Sequence, residues 1–311
     1  MDTVLRSPTK TVTISSDGPF CVIGERINPT GRKQFAEELR AGDLSTVEHD
    51  ARAQVEAGAD MLDVNAGIPL VDEAELLKSM LRAVQGAVEV PVCIDSSVIE
   101  ALEAGLSVYE GRALVNSVTA EDERLQEILP IVARHGAAVI GLANDETGIP
   151  ETPHKRLECA RKIVSAAGDF GIPAHDVVID PLAMTVGADT DAVTTTLQTI
   201  SLIRRELGVN MCLGASNVSF GLPQRHVLNA AFLPMAMAAG LTSAIMSTAP
   251  VCVEAVRASD LLLGHDAWGA SWIAAHRARQ AAAGAQAGAR SPEAAGGAKP
   301  GAQTPETAAT S

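Results

Sequence analysis

The chain has 311 residues, 47% of them hydrophobic and 3% aromatic, which is enough apolar matter for one large core. Its formal charge of -14 and isoelectric point near 4.9 set up a field that repels nucleic-acid phosphates and anionic lipid, leaving small-molecule chemistry as the favoured class. No uninterrupted apolar run reaches the roughly 18 residues that mark a membrane helix.

The opening segment, MDTVLRSPTKTVTISSDGPF, is polar and lacks the apolar stretch of a secretory signal, so residues 1–19 are expected to form an N-terminal extension on a cytoplasmic protein. From residue 20 one unit repeats. Short runs rich in Val, Ile, Leu and small residues alternate with longer stretches of helical period, the βα signature of a parallel sheet. The runs are FCVIGE (20–25), MLDVN (61–65), VCIDS (92–96), ALVNS (113–117), AAVIGLA (137–143), VVID (177–180), MCLGAS (211–216) and SAIMST (243–248). Eight such units predict a (β/α)8 barrel over residues 20–280. A doubly wound open sheet is the alternative, and no GxGxxG follows the first run to support it. Between the runs, helices are predicted to stop at Gly58, Gly105 and Gly136 and to start near Ser96 and Thr119. Residues 281–311 hold Ala, Gly and Pro with no Leu, Ile, Val or aromatic residue, and are expected to be disordered. The five cysteines form no CxxC pair and read as reduced core thiols, and the seven histidines show neither HxH nor HExxH spacing, so no metal site is expected.

In a barrel the ligand site is built where the strands end, so the residue closing each strand carries the information. Those residues are Glu25, Asp63 with Asn65, Asp95, Asn116, Asn144 with Asp145, Asp180, Asn217 and Ser247. A single aspartate after a strand is more often a helix cap than a ligand. Carboxylates and amides ending strand after strand, with only Arg26 and Arg225 as well-placed cations, fit a neutral, polar heterocycle rather than a phosphate. A pterin presents such an edge, because one carboxylate accepts two parallel N–H bonds from an amidine-like group.

With these residues in view the chain resembles the methyltetrahydrofolate:corrinoid protein methyltransferases and the folate domain of cobalamin-dependent methionine synthase. The matching segments include VIGERINPTGRKQF, LDVNAG, CIDSS, LVNSVTAE, VIDPL, GASNVSFGLPQR and LNAAFLPMAMAAGL, in family order from about residue 22 to residue 263. The resemblance implies a (β/α)8 TIM barrel of the dihydropteroate synthase-like, pterin-binding type. It implies that Asp95, Asn116 and Asp180 hold the pterin, that Asn217 approaches the ring nitrogen N5, and that Glu25 and Arg225 stand at the same site. Asp63 and Asn65 are open between ligand contact and loop bracing. The implied substrate is 5-methyltetrahydrofolate or tetrahydrofolate, with Asn217 as the catalytic residue. The implied cofactor is a corrinoid (cobalamin) expected on a separate, transiently bound protein, because the chain shows one barrel and a tail. A homodimer is also implied. A non-catalytic pterin or corrinoid binder is the reading of a different class. A dihydropteroate synthase would need cations for a pyrophosphate, and DPLAMTVGAD after the sixth strand contains no Lys or Arg.

Overall fold

The computed structural model describes residues 1–277 and 280, and the expected tail 281–311 lies outside the described residues. Two units divide the chain, Met1–Trp268 and Gly269–Ser311; in the second, residues 270–277 are helical. The first unit contains ten strands. An antiparallel hairpin, β1 (Asp2–Arg6) and β2 (Thr11–Ser15), precedes eight parallel strands: β3 (Cys21–Ile27), β4 (Met61–Asn65), β5 (Val92–Asp95), β6 (Leu114–Thr119), β7 (Ala138–Leu142), β8 (Val177–Asp180), β9 (Cys212–Gly214) and β10 (Ser243–Met246).

The eight pair in the order β8-β7-β6-β5-β4-β3-β10-β9. The seam between β8 and β9 is closed by a parallel bridge from Ile179 to Met211, with Ile179 N donating to Asn210 O at 2.9 Å. The sheet is therefore a barrel rather than an open sheet. Nine α-helices of the first unit surround it: α1 (Lys33–Arg40), α2 (Ser45–Glu56), α3 (Glu73–Ala87), α4 (Ile99–Val108), α5 (Asp122–His135), α6 (Pro153–Asp169), α7 (Ala192–Glu206), α8 (Arg225–Ala239) and α9 (Pro250–Leu262). None of them is long and apolar enough to cross a membrane.

Helix ends follow local chemistry. Thr152 caps α6 by accepting from Lys155 N, with Pro153 in the first turn where its missing N–H costs nothing. α5 ends on Gly136 in the left-handed region at φ 60, as its sequence predicts. Gly105 does not stop α4, which runs on to Val108; a Cβ there would lie 3.1 to 3.3 Å from Leu81, Ile94 and Leu77, so this glycine permits close packing of helix on sheet. α5 likewise begins at Asp122 rather than near Thr119, which still belongs to β6.

Residues 1–19 do more than extend the chain. Leu5 and Ile14, one from each hairpin strand, are fully buried against the apolar inner floor of the barrel beside Cys21, Ile23, Met61, Cys93 and Cys212. Polar anchors hold them there: Asn210 Nδ2 donates to Thr3 Oγ1 at 2.9 Å and Ile14 O at 2.8 Å, and Arg112, ion-paired to Asp176, donates to Val4 O at 2.7 Å. Gly111, at φ +135, lies so close to the hairpin that a Cβ would come within 2.2 Å of Arg6 O. The hairpin is a plug for the N-terminal end of the barrel.

Candidate active site

Strand alternation builds the site at the opposite end. Along each strand, side chains point in turn toward the helices and into the barrel. In β3, Cys21 and Ile23 point inward and so does Glu25; in β4, Met61 is followed inward by Asp63 and Asn65; in β5, Cys93 by Asp95; in β6, Leu114 by Asn116; in β8, Val178 by Asp180. The apolar floor thus passes into a polar rim within a single step of the alternation. Pairing holds the rim level, with Asn65 opposite Asp95 and Asp95 opposite Asn116.

The rim residues are bonded to one another. Asn116 Nδ2 donates to Asp63 Oδ1 at 3.2 Å, and Asn65 Nδ2 to Asp95 Oδ2 at 3.0 Å. Asp180 Oδ1 accepts from Leu182 N at 2.7 Å. Burial raises every one of these carboxyls. Asp63, 2% exposed, is pushed well above the usual carboxylate range by burial and then by the charge of Asp95. Burial carries Asp95 to about 6 against the pull of its bond from Asn65. It carries Asp180 to about 7 against the backbone N–H of Leu182 and the charge of Arg156. Groups that change protonation near neutrality can donate as well as accept, which suits a heterocycle carrying both kinds of atom along one edge.

After β9 the chain makes a 3-10 turn, Ala215–Ser219, that carries Asn217. The Asn217 side chain is exposed and bonds to no described residue, so its amide is available to a ligand. Arg225, at the head of α8, is engaged by the turn itself: Nη2 donates to Ser216 O at 2.8 Å, Nε to Ser219 Oγ at 3.2 Å, and the guanidinium lies 5.7 Å from the Phe220 ring centre. Glu25 is reached from the same turn, by Ser216 Oγ donating to Oε1 at 2.9 Å. Of the six residues singled out in the sequence, Asp95 and Asp180 close β5 and β8. Glu25 and Asn116 lie within β3 and β6, which run on to Ile27 and Thr119 instead of ending there. Asn217 and Arg225 lie in the turn after β9 and at the first position of α8.

Two open residues become placed: Asp63 and Asn65 are rim members, bonded to Asn116 and Asp95. Two more go beyond what the sequence reveals. Ser216 bridges Glu25 to the turn, and Asn229, 3% exposed on α8, donates to Ser216 Oγ at 3.2 Å. An asparagine on the apolar face of HVLNAAFL is the signal that could have found it, since a buried amide needs a partner. Among the described residues no group of three or more His, Cys, Asp or Glu could hold a metal ion.

The first unit is thus a (β/α)8 barrel with amides and raised carboxyls around its C-terminal mouth. The chain belongs to the pterin-binding enzyme family, which matches residues 24–247. It is 34% identical over 252 residues to a methylcorrinoid:tetrahydrofolate methyltransferase of Eubacterium limosum, covering 79% of this chain and 92% of that one. It is 33% identical over 253 residues to the methionine synthase of Mycobacterium tuberculosis, of which it spans only 21%. Among solved structures, dihydropteroate synthase of Xanthomonas albilineans with 4-aminobenzoic acid superposes with a TM-score of 0.64 at 20% identity, over 84% of this chain and 98% of that one. The enzyme of Yersinia pestis with a pterine-sulfa conjugate gives 0.64 at 15% identity, over 85% and 100%. At such identities these two share the fold alone.

Proposed function

We propose that the protein is a methyltransferase that moves a methyl group between N5 of 5-methyltetrahydrofolate and the cobalt of a corrinoid carried on a separate protein. The observation that carries this reading is the placement of Asn217: an unengaged amide on a braced turn, facing a mouth whose Asp95, Asn116 and Asp180 offer partners for a pterin edge. A pure binder has no need of a free amide at a position set apart from the binding edge. The likeness to a methylcorrinoid:tetrahydrofolate methyltransferase over most of both chains supports the same reading.

The chemistry asks for no nucleophilic side chain. A Co(I) corrinoid supplies the nucleophile that takes the methyl, and a corrinoid partner that docks and leaves lets folate exchange between turnovers. The protein's part is to make N5 a tolerable leaving group, because an amine anion leaves badly unless the nitrogen gains a proton or a strong hydrogen bond. Asn217 cannot titrate, but its amide can turn to offer N–H or C=O as N5 changes state. Asp63, whose carboxyl burial and the neighbouring Asp95 push well above the usual carboxylate range, is a group in the rim network suited to carry a proton. For transfer onto tetrahydrofolate the same groups act in reverse and draw a proton from N5.

Mixing the protein with 5-methyltetrahydrofolate and a Co(I) corrinoid, free or on a corrinoid protein, tests the proposal through the cobalt absorbance. Loss of the Co(I) spectrum with formation of methylcobalt supports it. Folate binding without any change at cobalt, for every corrinoid offered, would leave a non-catalytic pterin binder as the better reading.

A further inference from the structure

Asn229 presents an imbalance. Its Nδ2 is bonded to Ser216, yet its Oδ1 is buried without a hydrogen-bond partner among the described residues. A buried acceptor left unpaired is costly enough that it asks for an explanation. The explanation lies one bond further on. Ser216 Oγ accepts from Asn229 and donates to Glu25 Oε1, so the three form a line, Asn229 to Ser216 to Glu25, with every arrow pointing at the carboxylate. That sense serves Glu25 only while Oε1 carries no proton. Were Glu25 to gain a proton on Oε1, that hydroxyl would donate to Ser216, whose own hydrogen would then need an acceptor. Half a turn of the Asn229 amide brings Oδ1 into that place, and every arrow reverses.

We propose that Asn229 is a positioning residue for methyl transfer, whose amide flips to serve Ser216 in both senses, so that Glu25 can hold or release a proton at the mouth while the Ser216 hydroxyl keeps a partner on each side. The unpartnered oxygen is the half of the device used in the protonated state. This inference rests on the methyltransferase reading, in which a group beside the Asn217 turn must follow the protonation of N5. When Glu25 gives its proton to the ligand it becomes the carboxylate, Ser216 turns its hydrogen toward it, and Asn229 turns its N–H toward Ser216. Taking a proton back retraces the same sequence, so no atom or charge is unaccounted for.

The surroundings allow both states. Burial raises the Glu25 carboxyl, against the pull of the Ser216 hydroxyl and of Arg225, His226 and Arg26. The charged and titratable groups facing it are Arg26 on its own strand, Asp63 on β4, Arg225 and His226 at the head of α8, and Cys252 on α9. Ser216 also presents its carbonyl to Arg225, so the flip takes place beside a fixed backbone and leaves the turn that carries Asn217 in position.

The test reads titration, with no methyl transfer needed, so its failure is separate from failure of the cobalt assay. In protein labelled with 13C-glutamate, infrared titration follows the Glu25 carboxyl, assigned by its absence in Glu25→Gln. Ser216→Ala removes the donor to the ionised form and should raise the midpoint. Asn229→Leu removes a partner from each form and should leave the midpoint near the wild-type value, while slowing single-turnover transfer about tenfold with little change in folate affinity. An Asn229→Leu midpoint raised as far as that of Ser216→Ala would mean that the amide only donates, and would overturn the proposal. In case Asn229→Leu does not fold, the wild-type side-chain amide of Asn229 supplies a second reading by 15N NMR: its resonances should shift with the Glu25 midpoint. Resonances that stay fixed through that titration would equally overturn it.

Discussion

Arg225 Nη2 sits 2.8 Å from the carbonyl oxygen of Ser216, the residue immediately before Asn217. The guanidinium is thereby a brace for the turn that presents the amide, with Ser219 Oγ as its second hold. Removing Asn217 and removing its brace should therefore have different kinetic signatures. Asn217→Ala deletes a bond strengthened in the transition state and should lower the single-turnover rate on the order of a hundredfold, with a much smaller effect on folate affinity. Arg225→Ala leaves the amide present but less well placed, and should weaken folate binding and lower the rate together, about tenfold each. Rapid-mixing kinetics with a fluorescence measurement of folate affinity separates the two. Equal losses of affinity alone in both variants would remove the special role of Asn217.

Asp180 ties stability to pH. Its carboxyl is carried from 3.8 to about 7, so the folded state holds a proton that the unfolded state has released throughout that window. Stability then falls as pH rises between those values, because the unfolded state binds fewer protons there. Asp180→Asn keeps the shape without the charge. At pH above about 7 it should stabilise the ligand-free protein by about 2 to 4 kcal/mol, since every tenfold change in proton affinity on folding corresponds to roughly 1.4 kcal/mol. The advantage should vanish toward the ordinary carboxylate range. The same variant should bind folate about tenfold more weakly, through loss of a hydrogen-bonding partner for the ring. Denaturant titrations at several pH values provide the check.

Transfer toward Co(I) should accelerate as pH falls through about 6 to 7, the interval in which Asp95 and Asp180 take up protons and the mouth gains donors. A rate independent of pH across that interval would detach the rim carboxyls from the chemistry.

Asn116 supplies the side-chain amide that donates to Asp63 Oδ1. Asn116→Leu should thus carry two costs: about 1 to 3 kcal/mol of stability from a buried acceptor that loses its amide donor, and a loss of folate affinity of about tenfold or more. Calorimetric unfolding and folate titration report them separately, and intact binding would take Asn116 out of the site.

Eight strands, and the residues that close β4, β5 and β8, are legible because a parallel barrel strand is a short apolar run whose last inward position meets solvent. Inward alternation turns Cys93 into Asp95 and Val178 into Asp180 without any long-range information. Ser216 and Asn229 are not legible as partners, since their importance lies in a bond between a turn and a helix face that no periodicity encodes. Gly105 misleads because a glycine looks the same in sequence whether it ends a helix or allows Leu77 and Leu81 to approach. The hairpin is hidden for a related reason. TVTIS alternates as a strand should, but only the buried side chain of Ile14 shows that one of its faces has a core to meet.

That hairpin sets a demand on the order in which the molecule can be assembled. Its anchors lie far along the chain: Asn210 Nδ2 reaches Met1 O at 3.2 Å across 209 positions, and Thr3 Oγ1 reaches His175 O across 172. During synthesis the hairpin must therefore wait, with Leu5 and Ile14 unsheltered, until the approaches to β8 and β9 have been made. Contacts of such long separation form late, because the loop-closure entropy must be met before they return anything. Leu5→Ala should cost about 2 to 5 kcal/mol at equilibrium, as a large truncation in a packed core. Since its partners arrive last, that loss should show up chiefly as faster unfolding, leaving the refolding rate nearly unchanged. The barrel is thus stoppered by a hairpin that precedes it in the chain, and its kinetic persistence is decided at the end of the barrel opposite the chemistry.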